Sequence, residues 1–144
     1  MELIHIEIDE NYGSASGYVV ESTREQVGNY LSEYSEHSEK IADWLKENVQ
    51  FIGILKNLNV EENKRGNGYG NELLERFLGE AEQEMASAVI LISDDGELQA
   101  DGFVLDRWYE GCGFVSVQPT SAGPFMVYPE EIGERIKSEL FPEA

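Results

Sequence analysis

Hydrophobic residues recur along the chain at two spacings, and the switches between them outline the elements. Ile4, Ile6 and Ile8 alternate with polar neighbours across Glu2–Asp9, the two-residue period of a half-buried strand. Asn11–Ser16 is polar and contains glycine, which predicts a turn. Tyr18, Val19 and Val20 within Gly17–Glu21 supply the partner strand of a hairpin. Ser22-Thr23-Arg24-Glu25 has capping-box spacing and opens a helical stretch. Val27, Tyr30, Leu31, Tyr34, Ile41, Trp44 and Leu45 then follow a helical period, and this aromatic stripe reads as core. The polar run Ser35–Ser38 is where the stretch would divide into two helices.

Gln50–Val60, rich in Phe, Ile and Leu, predicts a long strand. Glu61–Asn67 is charged and polar, a loop. Leu73, Leu74, Phe77, Leu78, Ala81 and Met85 mark an amphipathic helix from about Gly68 to Ala86. Ala88–Ile92 is an unbroken apolar run, as a strand buried on both faces requires. Strand, helix and strand at this spacing predict a β-α-β unit. Asp94–Gly102 reads as an acidic loop, Phe103–Gly111 as a short helix, Gly113–Gln118 and Phe125–Tyr128 as a strand pair, and Pro129–Leu140 as a terminal helix. The fold class predicted is α/β with a mixed sheet, and 144 residues suit one domain, 1–144.

Charge narrows the partners. The net charge of −19 repels phosphate polymers, which argues against nucleic acid and anionic membrane and favours a basic peptide or a cationic small molecule. No apolar run approaches the ~20 residues of a membrane span. The first residues read as a strand and not as a signal peptide. The lone cysteine, Cys112, allows no internal disulfide, and a reduced, cytoplasmic setting is expected. With only ten Lys and Arg in the chain, the adjacency of Lys64 and Arg65 beside a glycine cluster marks the place where an anionic ligand would be met.

That cluster is Arg65-Gly66-Asn67-Gly68-Tyr69-Gly70, between a predicted strand and a predicted helix. Glycines there let backbone N–H groups face outward, and a helix start carries unpaired donors and partial positive charge. The combination is an anion cradle. A P-loop would need a Lys-Ser/Thr pair after its last glycine, which is missing here. A dinucleotide fold needs G-x-G-x-x-G directly after the strand. Here the spacing is G-x-G-x-G after a charged segment, and a single β-α-β unit is too little for that fold. A glycine-rich turn without a ligand is the remaining alternative.

The run Leu58–Leu74 resembles the acyl-CoA-binding motif of GNAT N-acetyltransferases. The family's core, Arg/Gln-x-x-Gly-x-Gly/Ala, falls on Arg65, Gly68 and Gly70, and the flanking Leu58, Val60, Leu73 and Leu74 also match. Glu62 stands where many members have proline. Downstream, Trp108-Tyr109-Glu110-Gly111-Cys112-Gly113-Phe114 resembles the family's Phe-Tyr-x-x-x-Gly-Phe signature. The resemblance covers about Phe51 to Tyr128. It implies the GNAT fold, a central mixed sheet flanked by helices, here with a shortened N-terminal half.

What the resemblance implies chemically is N-acetyl transfer from acetyl-CoA, without a metal, to a primary amine of a small molecule or to a protein lysine or N-terminal amine. Leu58, Asn59 and Val60 would pair their backbone with the pantetheine arm as if it were an added strand. Arg65, Gly66, Asn67, Gly68, Tyr69, Gly70 and Asn71 would hold the pyrophosphate. The thioester would reach the gap between the strands at Gln50–Val60 and Ala88–Ser93, and Tyr109 would protonate the leaving thiolate. Many members carry a carboxylate base on the long strand. This strand has none before Glu61, so Glu47, Asp94, Asp95 and Glu97 are candidates by location alone. His5 and His37 read as structural or surface residues. Gly102 stands where the family often has a cofactor-contacting asparagine, and Leu105 replaces a common small residue. An acyl-Cys112 route is disfavoured. The alternative function is a catalytically weak acyl-CoA-binding or acidic protein-interaction module on the same fold. A monomer or a homodimer is expected.

Overall fold

The computed structural model describes residues 3–33, 35–64, 66–93 and 105–142. In chain order the elements are β1 (Ile4–Glu10), β2 (Gly13–Glu21), α1 (Glu25–Ser32), α2 (Ser38–Asn48), β3 (Phe51–Val60) and a 3-10 turn (Glu62–Lys64). There follow α3 (Tyr69–Gln83), β4 (Ala88–Ile92), α4 (Leu105–Gly111), β5 (Val115–Thr120), β6 (Gly123–Tyr128) and α5 (Glu130–Leu140). The strands form one six-stranded sheet in the order β1-β2-β3-β4-β6-β5. All neighbours are antiparallel except β3 and β4, which α3 connects as parallel strands. This is the mixed α/β architecture that the pattern predicts.

Each face of the sheet buries its own core. On one face Val20, Ile52, Ile54, Ile90 and Val127 meet Val27, Leu31, Ile41, Trp44 and Leu45 of α1 and α2, and Ile136 of α5. On the other, Ile6, Ile8, Val19, Leu55 and Leu91 meet Leu73, Leu74 and Phe77 of α3 and Tyr109 of α4. The predicted aromatic stripe is therefore core wherever it is described; Tyr34 lies outside the described residues.

Three local readings change. The expected turn at Asn11–Ser16 shrinks to Asn11 and Tyr12, because β2 already pairs with β1 from Gly13. Ala15 is small because it faces α3, while Ser14 and Ser16 alternate onto the other face and are only half-buried. A Cβ on Gly17 would collide with the Ile54 carbonyl oxygen and lie 2.8 Å from the Phe77 ring. The capping box at Ser22 does not form. Ser22 is buried and its N–H donates to the Gln50 carbonyl at 2.8 Å, so sheet hydrogen bonding displaces the local cap and α1 starts at Glu25. Finally, α3 stops at Gln83. Met85 adopts a left-handed φ of 75°, is 69% exposed, and lets the Ala86 N–H return to the Ala81 carbonyl at 3.0 Å.

Candidate functional site

The parallel ladder between β3 and β4 is short. It pairs Ile52 with Ala88, Gly53 with Val89 and Ile54 with Ile90, then ends, while β3 continues to Val60 and β4 to Ile92. Each strand follows a different neighbour from there. Opposite Ser16 and Gly17 the β2–β3 register shifts, so Lys56 is bulged out, and β3 then tracks β2 as far as the Val60–Gly13 pair. A bulge bends its strand and increases the local twist. β4 instead tracks β6 through Leu91–Met126 and Ile92–Phe125. The strands part, and a wedge opens between their facing edges.

A tyrosine holds the apex of this wedge. Successive N–H groups along a strand point to opposite edges. The Ser93 N–H donates to Pro124 on the β6 side at 2.9 Å, so that of Ile92 points toward β3. There it meets not β3 but the Tyr30 hydroxyl of α1, at 2.9 Å. Tyr30 thus takes the place of the missing strand contact. Ser93, at the same end of β4, is 1% exposed, and its hydroxyl has no hydrogen-bond partner among the described residues. Such an orphan typically costs about 1–3 kcal/mol.

From the open side of the wedge, β3 leads through the 3-10 turn to the glycine loop. Gly66 and Gly68 have φ values of 85° and 81°, a left-handed conformation that glycine adopts without strain, and both face open space. Between them, the Asn67 side-chain amide donates to the Lys64 carbonyl at 3.0 Å and tightens the loop. Gly68 is the N-cap of α3, and no side chain among the described residues caps the helix. The first bond into the helix runs from the Glu72 N–H to the Gly68 carbonyl at 3.1 Å. The N–H groups of Tyr69, Gly70 and Asn71 precede that bond, and they form the donor end of the helix dipole. Gly70 is less constrained: a Cβ there would make ordinary contacts, 3.4 Å from Trp108 of α4 and 3.8 Å from Val60.

Trp108 therefore joins the two motifs. It abuts the first turn of α3 at Gly70 and packs beside Tyr109 with ring centroids 5.0 Å apart. Tyr109 is 6% exposed and also packs edge-on against Phe114, at 5.5 Å. Burial, and secondarily Cys112, pushes its phenol pKa well above the ordinary value, so the group stays protonated across the neutral range. It is protonated at neutral pH, and the same burial makes it a weaker acid than an exposed phenol. Cys112 is half-buried, with its Sγ 3.9 Å from the Asn71 side-chain oxygen. Burial and the nearby Glu75 push its thiol up, which opposes a nucleophilic thiolate.

Among the base candidates, Glu47 is exposed near the end of α2. It lines a shallow cleft with Glu21 and Gln50, at the end of β3 remote from Val60. It is not brought to the wedge. Arg65, Asp94, Asp95, Glu97, Asp101 and Gly102 lie outside the described residues. His5 is exposed and has Tyr18 for an edge-on neighbour; His37 contacts Phe141 and lies 3.8 Å from Glu36. Among the described residues, no group of three or more His, Cys, Asp or Glu is placed to hold a metal ion.

Two residues at the site escape sequence reasoning. Tyr30 reads as core, and burial is only half of its role. Tyr12, in the β1–β2 turn, stacks on Tyr69 with centroids 4.1 Å apart and donates its hydroxyl to Glu72 at 2.6 Å. The only trace of either in the sequence is a bulky aromatic where a plainer residue would serve.

No protein-family model matches the chain, and no curated protein matches it. Solved structures do. A provisionally assigned acetyltransferase from Agrobacterium tumefaciens aligns at 17% identity over 88% of this chain and 71% of its own, with a TM-score of 0.46. Agmatine N-acetyltransferase, solved in apo form as a serine-to-alanine variant, aligns at 11% identity over 81% of this chain and 67% of its own, with a TM-score of 0.50. At these identities the likeness concerns the fold: the chain is a GNAT-like α/β protein, a central mixed sheet flanked by helices.

Proposed function

We propose that this protein is a GNAT-family N-acyltransferase that moves an acetyl group from acetyl-CoA to a primary amine in the cytoplasm. The observation that carries the reading is the wedge between β3 and β4, which runs along β3 to the uncapped start of α3. A strand edge can take an extended amide-bearing ligand as an added strand, and an uncapped helix start takes an anion. Pantetheine diphosphate joins those two chemistries in one molecule, and the open space at Gly66 and Gly68 leaves room for it.

In this reading Leu58, Asn59 and Val60 hold the pantetheine arm through their backbone, and the N–H groups from Gly66 to Asn71 hold the diphosphate. Arg65 adds the formal charge. The donor supplies an acyl group already activated as a thioester. Tyr109 keeps a proton available for the departing thiolate, and the Tyr30 hydroxyl stands at the wedge apex. The acceptor amine arrives from an acidic surface that favours cations, and an amine delivered neutral needs no base from the protein.

Calorimetry with CoA and acetyl-CoA tests the cradle, and Arg65→Glu should weaken binding at least about tenfold by reversing charge at the diphosphate. Unchanged affinity in that variant would misplace the cradle, and no binding by the parent protein would end the proposal. A second reading, an acyl-CoA-binding module without turnover, is favoured by the lack of any carboxylate along β3. Mass spectrometry of an amine and peptide panel incubated with acetyl-CoA separates the two. Acetylated product supports the enzyme; tight binding with no product supports the module.

A further inference from the structure

The start of α3 is left uncapped although an acid stands within reach. Glu72 is the fourth helical residue and the acid of the first turn, from which a carboxylate can reach back toward the unpaired N–H groups as well as favour the helix dipole. Here it bonds none of the described N–H groups. Its Oε2 accepts the Tyr12 hydroxyl at 2.6 Å, drawing the carboxylate toward the β1–β2 turn. Tyr12 is itself fixed on three further counts. Its ring stacks on Tyr69 at 4.1 Å, with an interplanar angle of 18°. Its carbonyl accepts the Glu61 N–H at 2.9 Å. Beside it, Arg76 of α3 pairs with Glu10 at the end of β1, at 2.7 Å. The hairpin turn is thus clipped to the helix by a hydrogen bond, a ring stack and an ion pair, and to the end of β3 by a backbone bond.

We infer that Tyr12 is a positioning residue for the phosphate cradle, holding the Glu72 carboxylate away from the N–H groups of α3 so that an anionic ligand can take them. The inference rests on the CoA reading above and adds a gate to it. Without the phenol, the helix has an internal anion that competes for the same donors. The stack on Tyr69 does a different job, fixing the ring, so the hydroxyl can be removed while the stack remains.

A double-mutant cycle read by CoA calorimetry in low salt tests this. Tyr12→Phe keeps the ring and frees Glu72, and should weaken CoA binding about two- to fivefold. Glu72→Ala removes the competitor and should bind CoA at least as tightly as the parent. In the Glu72→Ala background, Tyr12→Phe should then have no effect, and its penalty in the parent should shrink as salt is added. An equal penalty in both backgrounds, or none in either, would overturn the inference; the first would mean that the hydroxyl acts on the hairpin and not on the carboxylate. If the parent protein binds no CoA at all, the cofactor reading fails instead, so the two failures are told apart. Melting temperatures of the four proteins separate lost folding from lost binding.

Discussion

Tyr109 shows how position changes the proton affinity of an ordinary residue. Its ring is enclosed by Trp108 and Phe114, and burial raises its pKa. An unfolded chain ionises its tyrosines near pH ~10, while the folded protein still holds this proton. Above that pH the unfolded state has lost a proton that the folded state keeps, so stability falls as pH rises, and below it Tyr109 contributes no pH dependence. Tyr109→Phe should therefore flatten the alkaline limb of a stability-versus-pH curve. Tyr18, also raised by burial, keeps part of the slope in that variant. In the acyltransferase reading the same substitution should lower kcat about 100-fold or more with little change in the affinity for CoA. Full turnover would remove Tyr109 from the chemistry.

At the scale of elements, β2 decides where the site lies. It is flanked by β1 and β3 and covered by α3, and it has room for this only because Gly13 and Gly17 carry no side chain. The register shift beside Gly17 bulges Lys56 and turns β3 away from β4. Gly17→Ala should cost about 3 kcal/mol, since the added methyl meets backbone on one side and Phe77 on the other. Urea denaturation measures that loss. A neutral result would mean that β2 and β3 can separate without penalty, and that the bulge is not held by this contact. The first turn of α3 lies against α4 through Trp108, which packs at Gly70 with room for a methyl group.

For the whole molecule, the net charge of −19 sets the background against which every local feature acts. Self-repulsion of this size destabilises the compact state and is screened by salt. Raising sodium chloride from about 0.02 to about 0.3 M should raise the melting temperature, a response opposite to that of a protein held by surface ion pairs. The described ion pairs are few and largely exposed, and Arg76–Glu10 at 2.7 Å is the shortest. A melting point that fell with salt would show that such pairs outweigh the repulsion. In the acyl-CoA reading the same background makes the anion site depend on oriented backbone N–H groups, because formal positive charge is scarce.

The periodicities of 2 and 3.6 were enough to place the strands and helices to within their boundaries and to mark residues that become core, because burial of alternate or helical positions is written in the order of residues. The glycine loop was legible for the same reason, since positive φ at Gly66 and Gly68 leaves a mark in composition. Boundaries moved where a non-local bond beat a local one, as when Ser22 paired with Gln50 and forfeited its cap. The wedge itself, the Tyr30 hydroxyl at its apex and the Tyr12–Glu72 clip were decided only in three dimensions. Each depends on which strand or helix comes to lie beside a residue, and contact between groups so far apart in the chain is fixed by packing, not by spacing.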